Sequence, residues 1–150
     1  MPVSLKEFLD QNQVKYGSIE HAPAFTAQEI AASAHISGQM MAKTVMVKVD
    51  GVMKMVVLPA NDKINFNRLR QSMQAATVEL ADESEFVDLF PECETGAMPP
   101  FGNLYGVEVL VSEHLTSDAE IVFNACSHWE LVRISYQDFE RLVHPRKIQV

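Results

Sequence analysis

Cysteine is scarce in this chain. Of 150 residues only Cys93 and Cys126 are cysteines, and their spacing forms no CxxC pair, which excludes a thiol redox motif. Reduced thiols in a cytoplasmic protein are the expected state. Long apolar runs are missing: none approaches the ~18 residues of a membrane span, so no membrane partner is expected. The opening Met1-Pro2-Val3-Ser4-Leu5-Lys6-Glu7 lacks a basic flank followed by an apolar stretch, so no secretory signal is expected. Positive charge is also in short supply, at 12 lysines and arginines against 20 acids and a formal net charge of −8. That balance argues against a general nucleic-acid coat and against DNA as a partner. The five histidines (His21, His35, His114, His128, His144) show neither HxH nor HxxxH spacing, so no metal and no cofactor is expected. No GxSxG elbow, GxGxxG turn or GxxxxGK[ST] loop occurs. By elimination, any activity rests on a lysine, backbone amides and a histidine.

What is present describes one domain, residues 1–150, with 47% hydrophobic and 21% charged residues. A chain of this size buries a self-sufficient core. Its charge is uneven. Lys43 to Arg70 holds six bases and two acids, whereas Glu79 to Glu94 holds seven acids and no base. The first segment suits a polyanion; two ordinary solvated faces would look the same.

Local patterns give the elements. Ser4-Leu5-Lys6-Glu7 has capping-box spacing ahead of an apolar stripe, and Thr26-Ala27-Gln28-Glu29 repeats it before an alanine-rich helix ending near Gly38. Tyr16 to His21 reads as a short strand. Thr44–Val49 and Val52–Leu58 are β-branched, apolar runs joined by Asp50-Gly51, a strong hairpin signal. Two-residue closure pairs Val49 with Val52 and therefore Lys43 with Leu58. Both faces of this hairpin are apolar, which places it centrally in a sheet. A helix over Asn65–Met73, a strand over Val78–Ala81 and a short acidic helix over Ser84–Phe90 follow. Strands at Tyr105–Val111, Glu120–Phe123 and Leu131–Ile134 precede a closing helix from Ser135 that ends before Pro145. The expected fold is α+β: a compact domain with a mixed, mostly antiparallel sheet surrounded by helices.

Three segments carry candidate chemistry. In Gly96-Ala97-Met98-Pro99-Pro100-Phe101-Gly102-Asn103, two prolines fix φ and remove two donors, so the remaining amides point in set directions. Such a loop suits an anion or a carbonyl oxygen, or is simply a tight connection. Lys43 enters the hairpin among Met40, Met41, Ala42, Thr44 and Val45; it calls for an anionic partner, or it snorkels to water. Asn124-Ala125-Cys126-Ser127-His128 joins two strands, and its small residues leave room for a ligand lined by Asn124 and His128.

Taken in order, Lys43-Thr44, Gly96 to Gly102 and Phe123 to His128 resemble the YbaK/prolyl-tRNA synthetase-associated domain family over nearly the whole chain. The resemblance implies trans hydrolysis of mischarged aminoacyl-tRNA, with the tRNA 3′ end as substrate and an aminoacyl-tRNA synthetase as a second partner. It maps the family lysine onto Lys43, the GxxxP loop onto Gly96 and Pro100, and the small-residue/His segment onto Asn124 to His128. Many relatives carry glycine where this chain has Cys126. On this basis Lys43 and the amides of Gly96, Ala97 and Met98 are catalytic. Lys43 grips the terminal phosphate or polarises the ester, and the amides face the carbonyl oxygen. Water attacks, and the substrate's ribose hydroxyl is a candidate proton acceptor. Thr44, Pro99, Pro100, Phe101, Asn124, Cys126 and His128 bind substrate, with Met98, Phe101, Cys126 and His128 as pocket walls. A small amino acid on a non-cognate tRNA, tRNA-Pro first, is the expected substrate. The alternatives are a non-catalytic module that holds tRNA ends or docks on a synthetase, and a small-molecule binder.

Overall fold

The structure, a computed structural model, describes residues 3–20 and 38–150. The expected helix opening at Thr26 lies outside the described residues, as do His21 and His35. Helix α1 (Val3–Gln11) precedes strand β1 (Gly17–Glu20). Leu5 and Leu9 on α1 are fully buried, as the apolar stripe requires. The helix begins one residue before its expected cap, and the Ser4 hydroxyl donates to Glu92 at 3.1 Å instead of capping.

The hairpin β2 (Ala42–Val49) and β3 (Val52–Pro59) has the expected register, Val49 opposite Val52 and Lys43 opposite Leu58. Asp50 (φ 50°) and Gly51 (φ 81°) are both left-handed, which matches the right-handed twist of the strands. The Asp50 carboxylate also accepts from Ala76 N (2.8 Å) and Thr77 N (2.9 Å), tying the turn to the next segment. There α2 (Phe66–Ser72), capped by the Asn65 side chain, leads into β4 (Val78–Leu80). The acidic stretch is shorter than expected: α3 (Glu83–Phe86) gives way to a 3-10 turn over Val87–Leu89.

A second 3-10 turn (Gly102–Tyr105) replaces the start of the expected strand, so β5 covers Glu108–Ser112. It is followed by α4 (Glu113–Thr116), β6 (Glu120–Asn124), β7 (Glu130–Ser135) and α5 (Tyr136–Val143), which is capped by Ser135 as its sequence suggests. Beyond Pro145 the chain adds β8 (Arg146–Ile148).

The β structure is mixed and mostly antiparallel, as expected, and falls into two sheets. One runs β4-β2-β3-β5-β8, with parallel β3–β5 and β5–β8 pairs; the other is antiparallel, β1-β7-β6. A parallel bridge between Met41 and Val122 links them. One face of the central hairpin (Ala42, Met46, Met55, Val57) packs into a large core with Phe101, Phe123 and Phe139. Its other face (Val47, Val49, Val56, Leu58) packs with Leu69, Leu110 and Ile148. The hairpin is therefore covered on both sides, as its two apolar faces demand. No helix among the described residues is long and apolar enough to cross a membrane.

Candidate functional site

The β6–β7 connection and the glycine/proline loop are clasped together by backbone. Glu94 N donates to Cys126 O and Cys126 N donates to Ala97 O, both at 2.9 Å. His128 adds two ties: its amide donates to Glu94 Oε2 at 3.2 Å, and its Nε2 lies 2.9 Å from Thr95 O. A carbonyl only accepts, so Nε2 carries a proton and donates. The sequence-predicted segments Gly96–Phe101 and Asn124–His128 thus form one unit. The start of β2 joins it where Thr44 Oγ1 donates to Met98 O at 3.1 Å.

Gly96 takes φ 82°, a conformation that glycine adopts without a Cβ penalty. Of the three nominated amides, Ala97 N is already used: it donates to Glu94 O at 3.0 Å. This corrects the expectation that it faces a substrate oxygen. Gly96 N and Met98 N have no acceptor among the described residues. Pro99 and Pro100 are buried and stiffen the loop from beneath. Phe101, expected as a pocket wall, is wholly buried and packs edge-on against Phe8 and Phe139 and tilted against Phe123. It is a core residue.

Cys126 also departs from expectation. It is joined to Cys93 in a disulfide, and the Tyr105 hydroxyl lies 3.8 Å from Cys93 Sγ and 3.7 Å from Cys126 Sγ. The side chain is turned towards these groups, and the cysteines are not reduced thiols. Cys126 has φ 69°, the backbone state that glycine meets most easily.

Lys43 is half-buried, and burial pushes its ammonium pKa down; the Asp62 carboxylate opposes this and Lys63 adds to it. Alternation sets its side chain on the opposite side of β2 from Thr44, the side of Met41 and Val45. The Met41–Val122 bridge defines what lies alongside. That bridge is isolated; alternation along β6 puts the Asn124 side chain on the same side as Val122 and opposite Phe123. Asn124 is buried, and its Oδ1 has no hydrogen-bond partner among the described residues. An unmet buried acceptor costs about 1–3 kcal/mol, so this position suits a ligand donor.

Two of the six bases in the basic segment are neutralised within the molecule. Lys48 meets Glu85 at 2.7 Å and Glu79 at 3.5 Å, and Lys54 meets Glu108 at 3.4 Å. The hydrogen bond to Glu85 holds the Lys48 pKa up and lowers that of the carboxyl. Within the basic stretch, the acidic one screens Lys48. Lys43, Lys63, Arg68 and Arg70 have no carboxylate bond among the described residues; Arg70 bonds the Asn67 side chain at 3.1 Å instead.

A family model described as aminoacyl-tRNA editing domain matches residues 21–142. A proline--tRNA ligase of Bacillus mycoides is 26% identical over 100 residues, which are 67% of this chain and 17% of the ligase; a Bacillus cereus proline--tRNA ligase matches to the same extent. The chain thus spans about a sixth of the length of these curated relatives. Among solved structures, a hypothetical protein superposes with a TM-score of 0.86 at 21% identity, covering 98% of both chains. A protein described as a candidate trans-editing enzyme for prolyl tRNA synthetase gives 0.82 at 14% identity, covering 99% of this chain and 97% of the other. At these identities the likeness is one of fold.

Proposed function

The chain belongs to the aminoacyl-tRNA editing domain family, and from that membership we propose that it deacylates mischarged aminoacyl-tRNA in trans. In this reading it acts as one editing domain, residues 1–150, in the cytoplasm. A small amino acid on a non-cognate tRNA is the substrate, with tRNA-Pro first because the curated relatives are proline--tRNA ligases. A synthetase is the natural second partner.

The observation that carries the proposal is a buried acceptor with no hydrogen-bond partner among the described residues (Asn124) on the backbone-clasped loop unit, with Lys43, half-buried and without a carboxylate bond among the described residues, at the start of the strand that Met41 bridges to β6. An aminoacyl ester on a 3′-terminal nucleotide offers the complement of each: a phosphate for Lys43, an α-ammonium for Asn124, and a carbonyl oxygen for the amide of Gly96. Because Lys43 and Thr44 project to opposite sides of β2, phosphate binding suits Lys43 better than polarising an ester held against the loop. Hydrolysis then needs no protein nucleophile. Water adds to the ester carbonyl, negative charge develops on its oxygen against the Gly96 N–H, and the C–O bond to the ribose breaks. The proton lost by water ends on the released ribose oxygen, with the neighbouring ribose hydroxyl as relay. His128 orients the loop through Thr95 and Glu94. Met98 serves as a wall and as the anchor for Thr44.

Release of labelled amino acid from a matrix of mischarged tRNAs tests the activity, with Lys43→Ala as the control. A hydrogen bond to a charged group contributes about 1.5–3 kcal/mol, so kcat/KM should fall roughly ten- to a hundredfold, carried mainly by KM. Unchanged deacylation by Lys43→Ala removes Lys43 from the reaction. A wild-type protein that retards tRNA in a gel but frees no amino acid is a binding module.

A further inference from the structure

Trp129 is the only tryptophan in the sequence, and it is 53% exposed. Large aromatic rings are usually covered, since each carries a large apolar area. This one has no ring partner among the described residues. It is also held on a firm support. The Trp129 amide donates to Ser127 Oγ at 2.9 Å, and Ala125 N donates to Glu130 O at 3.1 Å across the base of the loop. The residue before it, His128, is fixed to Thr95 and Glu94, and Cys126 is fixed to Ala97. The exposed ring therefore sits one residue from the group that orients the Gly96 turn, on a connection with little freedom to lose on binding.

We infer that Trp129 is the stacking platform for an unpaired base at the RNA 3′ end, the terminal adenine first. The inference rests on the deacylase reading above, since it takes the substrate's ester to lie at the Gly96–His128 unit. The terminal base hangs from the same ribose as that ester, so a ring at the rim of the unit is where the base would come to lie. Unpaired bases bind to proteins chiefly by stacking on aromatic faces, and the contact tolerates a poor electrostatic setting. That suits this rim, where Glu94 is exposed and Glu130 lies beside the ring. Stacking here and phosphate binding at Lys43 divide the terminal nucleotide between two positions, which lets an acidic protein grip RNA with few free cations.

The single tryptophan makes the test direct, because all indole emission comes from this position. An acceptor-stem minihelix ending in CCA is titrated into the full chain alongside the same stem trimmed of those three nucleotides. Quenching by the CCA stem and none by the trimmed stem is expected. Trp129→Ala should raise KM for deacylation roughly tenfold or more with kcat within about twofold, and Trp129→Phe should restore most of the loss. Urea denaturation of both variants checks that the fold is intact, as expected for an exposed ring. Equal quenching by both stems, no quenching by either (as for a ring that docks on protein), or an unchanged KM in Trp129→Ala overturns the inference. The two readings separate cleanly. Deacylation that continues with an unaltered KM sinks the platform alone, whereas CCA-dependent quenching with no amino acid released sinks the deacylase and leaves the platform standing.

Discussion

Two glycines bound the candidate loop, and they are glycine for different physical reasons, which substitution separates. Gly96 has φ 82°, and a Cβ built there meets nothing closer than His128 Cε1 at 3.7 Å, an ordinary contact. The cost of Gly96→Ala is therefore conformational, about 1–2 kcal/mol for an L-residue forced into the left-handed region. Asparagine tolerates that region better than alanine, so Gly96→Asn should be the less damaging change. Gly102 carries no such φ, but a Cβ there falls 2.7 Å from Val107 O and 2.9 Å from Val109 Cγ2. The backbone oxygen has no room to retreat, because Val107 N is itself bonded to Gly102 O at 2.9 Å. Gly102→Ala should cost about 1–3 kcal/mol through overpacking, and Gly102→Asn, being larger, should cost more. Urea denaturation midpoints of the four variants read this pattern, and the rank order of alanine and asparagine reverses between the two sites. At a slope of about 1–3 kcal/mol per molar urea, each kcal/mol moves the midpoint by a few tenths of a molar or more. Equal effects of alanine and asparagine at position 96, or a neutral Gly102→Ala, refute the reasoning.

Two further outcomes follow from orphaned buried atoms. If Asn124 Oδ1 receives the substrate's α-ammonium, N-acetylated aminoacyl-tRNA should be cleaved at least tenfold more slowly than the free amine, a hydrogen bond to a charged group being about 1.5–3 kcal/mol. Asn124→Ala should then lose that discrimination, and equal discrimination by wild type and variant denies Asn124 the contact. The Tyr136 hydroxyl is buried with no hydrogen-bond partner among the described residues, and burial, with a smaller contribution from Glu140, pushes its pKa up to about 12. The folded chain keeps this proton where the unfolded chain, at a pKa of about 10, gives it up. The titration of this group thus leaves stability unchanged below pH ~10 and lowers it as pH rises towards 12. Tyr136→Phe should flatten the fall in urea midpoint across that window and leave neutral-pH stability equal or higher; an unchanged slope counts against it.

Elements defined by local chemistry were legible in the sequence. Asp50-Gly51 set the hairpin and its register, Asn65 and Ser135 marked helix starts, and paired apolar faces placed β2 and β3 centrally. What escaped was long-range. Nothing near Arg146 announces that β8 joins β5 in parallel, and nothing in the local pattern divides the strands into two sheets bridged at Met41. Phe101 looks like a loop residue because it follows two prolines, but four aromatic rings meet there from separate elements. Ser4 has the spacing of a cap and spends its hydroxyl on Glu92, 88 residues away. For the site, the loop and the Asn124–His128 segment were recognisable as motifs, whereas the commitment of Ala97 N, the Cys93–Cys126 bond and the Met41–Val122 bridge exist only in the fold.

The contacts of Lys48 with Glu79 and Glu85 bear on how RNA would arrive. Protein cations normally bind nucleic acid by displacing condensed ions from the phosphates, and each such exchange steepens the response to salt. Here the middle of the hairpin has its counter-charges covalently attached, supplied by β4 and α3. A polyanion meeting that surface gains little, and the attraction is left to Lys43 at the start of the strand and to Lys63, Arg68 and Arg70, which meet no carboxylate among the described residues.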